Sequence, residues 1–227
     1  MANMKSIALI PARGGSKGIL RKNIKLFNSK PLIYWSIQAA LKSDYIDRVI
    51  VSTEDKEIAE IAKSYSAEVP FLRPKELAKD DSPGIDPVFH ALEMLPEVED
   101  LILLQPTSPL RQTKHINEIF EFREKFQSDS VVSITLAKKH QDLFFQLNSN
   151  SIISPLSKDF KALPRQKYSD LYTINGALYL SSKKSILLNK SLFSSSTLGY
   201  IMPEKYSIDI DTQLDWDIAQ FLMKREL

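Results

Sequence analysis

Glycines, cations and carboxylates gather at two places in this chain of 227 residues, and both places suit a polyphosphate. Three of the six glycines, Gly14, Gly15 and Gly18, fall within five residues directly after the apolar run Ser6–Ile10. Glycine admits positive φ and lets backbone N–H groups close on an anion. Arg13, Lys17, Arg21 and Lys22 surround those amides. The stretch Ala12-Arg13-Gly14-Gly15-Ser16-Lys17 therefore reads as a cradle for the phosphates of a nucleoside triphosphate, and a solvated glycine-rich turn is the plain alternative. It is neither GxxxxGK[ST] nor GxGxxG with an acidic residue about 20 positions on, which argues against a P-loop ATPase and a dinucleotide site.

The second place is Ser207-Ile208-Asp209-Ile210-Asp211. On a strand, residues two apart share a face, so Asp209 and Asp211 point one way and Ile208 and Ile210 the other. Crowded carboxylates repel unless a cation lies between them, and hard oxygen ligands suit Mg²⁺ or Mn²⁺ bridging to substrate phosphates. The alternative makes Asp211 the N-cap of the next helix and leaves Asp209 exposed. Asp215 and Asp217 fit the first turn of that helix. Arg73 ends a strand ahead of an acidic stretch, where an ion pair to Asp80 or Asp81 is the structural alternative to a ligand role. Gln105 ends a buried strand and needs a partner. Pro106 and Pro109 hold Gln105, Thr107, Ser108 and Arg111 rigidly, with Arg111 reading as a loop stabiliser.

Elements must bring these places together. Ser6–Ile10, Arg48–Ser52, Glu68–Leu72, Leu101–Leu104, Val131–Leu136, Leu171–Leu180 and Tyr206–Ile210 read as strands. Helices are expected over Leu32–Lys42, Lys56–Tyr65, Pro87–Leu95, His115–Phe126, Lys184–Leu188 and Leu214–Arg225. Apolar strands alternating with helices imply an α/β domain, a Rossmann-like three-layer α/β/α sandwich with a mostly parallel sheet. One domain is expected over 1–227. Residues 138–170 leave the pattern, with short strands Phe144–Leu147 and Ile152–Pro155 around the turn Asn148–Ser151. This excursion reads either as an arm that packs on a second subunit or as a plain surface hairpin.

Composition narrows the classes. A net charge of +2 gives no argument for nucleic acid or a membrane surface. No cysteine is present, which excludes disulfides, thiolate metal sites and cysteine nucleophiles. His90, His115 and His140 lie on different elements without metal spacing. No run approaches the length of a membrane span, so a cytoplasmic protein is expected.

The run IPARGGSKGILRKN (10–23) resembles the opening of the acylneuraminate cytidylyltransferases, the CMP-sialic acid synthetases. The similarity continues through VSTED (51–55), FLRPKELAKDDS (71–82), LLQPTSPLR (103–111), NGALY (175–179) and SIDIDT (207–212). The related Kdo enzymes lack the paired Gly14-Gly15 and Asn23. A sugar-1-phosphate nucleotidyltransferase and a non-catalytic nucleotide-binding module are the other rivals.

The resemblance implies transfer of CMP from CTP to an acidic nine-carbon sugar, N-acetylneuraminate ahead of legionaminate or pseudaminate, by a Mg²⁺-dependent homodimer. It implies nucleotide contacts from Ala12, Arg13, Gly14, Gly15, Ser16, Lys17, Lys22, Asn23, Arg73 and Ser82, with Asn23 and Arg73 reading cytosine. It places Gln105, Arg165, Asn175 and Tyr179 at the sugar, and Arg13, Lys22 and Asp211 at the chemistry. Where the family carries an EHHPxK-like stretch, this chain has Ala137-Lys138-Lys139-His140-Gln141-Asp142.

Overall fold

The computed structural model describes residues 6–79, 81–157 and 169–226. In chain order its elements are β1 (Ser6–Pro11), β2 (Leu26–Phe27), β3 (Lys30–Pro31), α1 (Leu32–Leu41), β4 (Arg48–Ser52) and α2 (Lys56–Ser64). Next come α3 (Asp86–Met94), β5 (Asp100–Leu103), α4 (Thr113–Phe126), β6 (Ser130–Leu136), β7 (Phe145–Leu147) and β8 (Ile153–Pro155). The chain continues through β9 (Tyr172–Ser182), α5 (Lys183–Asn189), β10 (Leu198–Ile201) and α6 (Gln213–Glu226). Among the described residues the central sheet runs β10-β6-β9-β5-β1-β4. β1 pairs parallel with β4 and β5, and β10 pairs parallel with β6. Within that sheet, among the described residues, β9 alone runs antiparallel to both its neighbours.

Side-chain alternation along β1 builds the three layers. Ala8 and Ile10 face a core shared with α1, α2, α4 and α6, through residues such as Ile37, Ala62, Phe120 and Trp216. Ile7 and Leu9 face the opposite core, closed by Val88, Ala91 and Leu92 of α3 and Ile186 of α5. A strand buried on both faces is apolar at every position, which explains the unbroken Ile-Ala-Leu-Ile run. Burying each such side chain contributes about 1.5–3 kcal/mol relative to leaving it exposed.

Two expected strands differ. Glu68–Leu72 forms no strand; a single parallel bridge joins Glu68 to Ile50. Tyr206–Ile210 pairs with no neighbouring strand: Glu204–Tyr206 is a 3-10 turn, and Ile210 donates its N–H to the Thr107 carbonyl at 2.8 Å. The edge position falls instead to β10, where Gly199 lies against Ile134 of β6 so closely that a Cβ would meet Ile134 Cδ1 at 2.5 Å. Asp209 and Asp211 therefore do not share a strand face as expected, although Ile210 is fully buried and Asp211 is exposed.

The excursion forms the small hairpin β7–β8, with every residue of both strands exposed. Its continuation through Lys158–Lys167, with Arg165, lies outside the described residues. Among the described residues no helix is long and apolar enough to cross a membrane.

Candidate active site

A cleft of about 420 Å³ opens at the carboxyl ends of β1 and β5, where open α/β sheets place their ligands. Its walls carry Arg13, Ser16, Lys17, Gly18, Lys22 and Asn23 from the glycine loop and the turn that follows. Arg73 and Ser82 come from the segment between α2 and α3, Gln105 and Thr107 from the turn after β5, and Asp211 from the approach to α6. Residues far apart in sequence thus meet around one space.

The loop is fixed by contacts from every side. Gly18 packs on the carbonyl of Asp211, where a Cβ would lie 2.5 Å from that oxygen, so a side chain there would force loop and carboxylate segment apart. Lys22 Nζ donates to the Ile210 carbonyl at 2.6 Å and lies 3.5 Å from Asp211 Oδ1. Arg13 donates to the Lys79 carbonyl across the cleft at 3.1 Å. The buried Asn23 donates to the Arg13 carbonyl at 2.9 Å. Ser82 donates to the Glu76 carbonyl at 3.0 Å.

Three residues expected at the nucleotide do not line the cleft. Ala12 is fully buried and gives its N–H to the Ser52 carbonyl. Gly14 gives its N–H to Glu54 Oε1 at 2.7 Å. Gly15 also stays off the walls. Arg73 is ion-paired with Glu54 at 3.0 Å; of the two expected partners, Asp81 does not pair with it and Asp80 lies outside the described residues. Glu54, the first acidic residue of VSTED, is the neighbour that sequence reading missed.

Asp211 lines this cleft, whereas Asp209 lines a second of about 430 Å³. That second cleft also exposes Asn175, Ser207, Lys138, Lys139 and Glu204, with Lys138 and Glu204 paired at 3.2 Å. Gly176, held at φ +76°, lets the backbone pass beside Asp209 and Gln105; a Cβ there would sit 3.1 Å from Asp209 Oδ2. Asn175 has both ends of its amide engaged: Oδ1 accepts from Ser133 Oγ and Ala177 N–H, and Nδ2 donates to Ser207 Oγ. Tyr179 lines neither cleft and packs edge-on against Phe193.

Burial raises the Asp209 carboxyl above the usual carboxylate range; Asp211 adds to the rise, while Thr107 and Lys22 offset part of it. Its Oδ1 is buried without a hydrogen-bond donor. A dehydrated carboxylate oxygen with no partner is what a hard cation relieves. Among the described residues no group of three or more His, Cys, Asp or Glu gathers as a cation site, so these two carboxylates would need phosphate and water oxygens to complete a shell.

Asp211 is not the helix cap. The Asp215 carboxylate accepts from the Thr212 N–H at 2.8 Å, and the Thr212 hydroxyl accepts from Asp215 N–H at 3.3 Å. This reciprocal cap leaves the Asp211 side chain free of the helix start. Arg111 is the loop stabiliser that the prolines suggest. Its guanidinium donates to the carbonyls of Gln105 and Ala177 and to the Ser36 hydroxyl, and burial lowers its pKa to about 9.

Comparison with known proteins agrees with the motifs. A cytidylyltransferase family profile matches residues 7–223. The chain is 37% identical over 225 residues to an N-acylneuraminate cytidylyltransferase of Escherichia coli, covering 98% of this chain and 53% of that protein. It spans about half the length of that relative. It is 36% identical over 228 residues to the CMP-N,N'-diacetyllegionaminic acid synthase of Legionella pneumophila, covering 97% of each. A solved CMP:2-keto-3-deoxy-manno-octonic acid synthetase complexed with CTP shares the fold, with TM-score 0.75 at 16% identity over 98% of this chain and all of that one. With the ordered motifs lining one cleft and the profile covering nearly the whole sequence, the chain belongs to the acylneuraminate-type cytidylyltransferase family.

Proposed function

We propose that this chain transfers CMP from CTP to the anomeric hydroxyl of a nonulosonic acid and releases pyrophosphate. The observation that carries the reading is the convergence of Arg13, Lys17, Lys22, Asn23, Arg73 and Asp211 on one cleft. The triphosphate lies along the Gly14–Gly18 loop, with Arg13, Lys17 and Lys22 neutralising its charge. Asn23 and Arg73 face the cytosine edge, whose O2 and N3 accept and whose amino group donates.

The acceptor sugar enters from the Asp209 side, where Gln105 and the second cleft offer polar groups to its hydroxyls and carboxylate. Its anomeric oxygen forms the new bond to the α-phosphorus as the bond to the bridging β-phosphate oxygen breaks. Pyrophosphate leaves with that electron pair. The hydroxyl proton passes to Asp211, whose carboxylate is mostly open to the cleft. Asp209 and Asp211 would hold Mg²⁺ or Mn²⁺, which when bound neutralises the charge building on the phosphates. The protein's own work is positioning and charge neutralisation.

The reading includes a homodimer. Phe144, Phe145, Leu147, Ile152, Ile153 and Leu156 stand exposed along the hairpin, and a second copy of this chain is the cover that the excursion suits. Arg165 belongs to the same arm and is proposed to reach a sugar carboxylate.

Nucleotide choice tests the base-reading part. Turnover with CTP is expected to exceed that with UTP by at least about 100-fold, because the wrong edge leaves buried donors unpaired. Comparable turnover with UTP would sink the cytidine assignment.

A further inference from the structure

Two parts of the site that the fold brings together meet at one carboxylate. Glu54, just past the end of β4, accepts the Gly14 N–H on Oε1 at 2.7 Å and the Arg73 guanidinium on Oε2 at 3.0 Å. Gly14 belongs to the phosphate loop and Arg73 to the wall that faces the base. Arg73 is almost wholly buried, with a side-chain exposure of 3%, and its Nε has no hydrogen-bond partner. A buried guanidinium needs a counter-charge, and among the described residues Glu54 is the carboxylate ion-paired to it. Glu54 itself does not line the cleft, so whatever it does to a ligand it does through Gly14 and Arg73.

The adjacent Asp55 has a separate task. It accepts from the Glu57 and Ile58 amides at the start of α2 and clamps Arg21. Changing Glu54 therefore leaves the helix cap and that clamp in place.

We propose that Glu54 is a positioning residue that couples cytosine reading to placement of the triphosphate loop, an inference that rests on the cytidylyltransferase reading above. A carboxylate suits the bridge because both of its oxygens accept. A glutamine offers one accepting oxygen and one donating nitrogen, so it must turn a donor toward either Gly14 N–H or Arg73. One of the two links is lost whichever way the amide turns.

The test compares wild type with Glu54→Gln. The variant is expected to raise KM for CTP about ten-fold, leave kcat within about three-fold, and lower the CTP-over-UTP ratio of kcat/KM about ten-fold. In an Arg73→Ala background the same substitution is expected to change that ratio by less than about two-fold, since the link it breaks is already gone. Glu54→Asp keeps the charge but is one methylene too short to span both donors, and it carries the same test should Glu54→Gln not purify folded. A merely structural role would lower the melting temperature and leave the nucleotide ratio at its wild-type value, which overturns the coupling while leaving the cytidylyltransferase reading intact. A wild-type enzyme without preference for CTP overturns both.

Discussion

The glycine-loop half of the molecule and the hairpin excursion solve opposite problems. Around the cleft, polar groups are held by partners far away in sequence: the Lys22 side chain by Ile210, the Arg13 side chain by Lys79 and the Gly14 N–H by Glu54. Each is backed by a sheet buried on both faces. In the hairpin the side chains that should be inside are outside. Leu147, Ile152 and Ile153 are each more than 60% exposed, and among the described residues the two strands pair only with one another. An isolated two-stranded hairpin is marginal in water, whereas a strand in the central sheet inherits two cores. One region is therefore held within a single chain, and the other leaves its apolar side chains in solvent, where the proposed second copy would cover them.

The sharpest way to break this contrast is at the chemistry. Asp211→Asn is expected to lower turnover by about three orders of magnitude or more, because the substitution removes a charge from the wall facing the α-phosphate. Chelation is expected to abolish activity and Mg²⁺ or Mn²⁺ to restore it. A loss of only a few-fold with unchanged metal dependence would confine Asp211 to a structural role.

Stability separates the two regions next. Ile102→Ala, in the middle of β5 and fully buried, is expected to cost about 2–5 kcal/mol of unfolding free energy by denaturant titration. Leu147→Ala is expected to stay within about 0.5 kcal/mol at concentrations where the chain is monomeric. The charged change Leu147→Glu is expected instead to move sedimentation toward the monomer. Equal costs at the two sites, or a monomer in the unaltered protein at micromolar concentration, would erase the distinction.

Much of this was readable from residue order, for reasons that differ along the chain. β1, β4, β5 and β6 are apolar runs long enough to be buried, and α2 announces itself by Asp55 ahead of an amphipathic stretch. The glycine loop, Asn23, Arg73, Gln105 and Asp211 were legible as motifs, and they share a cleft. Alternation misled at Ser207–Asp211. Two isoleucines alternating with two aspartates look like a strand, but the adjoining sheet edge is already filled by β10, which is only Leu198–Ile201 with a glycine inside and gives little periodic signal. Glu54 was invisible for another reason. Its partners lie 40 positions before it and 19 after it, and no local pattern marks a carboxylate that bridges two loops. The Thr212–Asp215 cap shows a third limit, since either Asp211 or Thr212 fits the N-cap preference and only geometry chooses.

If the cleft joins a cytidylyl group to a sugar acid, pyrophosphate release measures it directly. Purified protein with CTP and Mg²⁺ is expected to release pyrophosphate only when a nonulosonic acid is added, in amounts matching the CMP-sugar formed. Substituting UTP, or omitting the sugar acid, is expected to leave only background. Stoichiometric pyrophosphate release without any acceptor, or no release with CTP across N-acetylneuraminate, legionaminate and pseudaminate, would contradict the account.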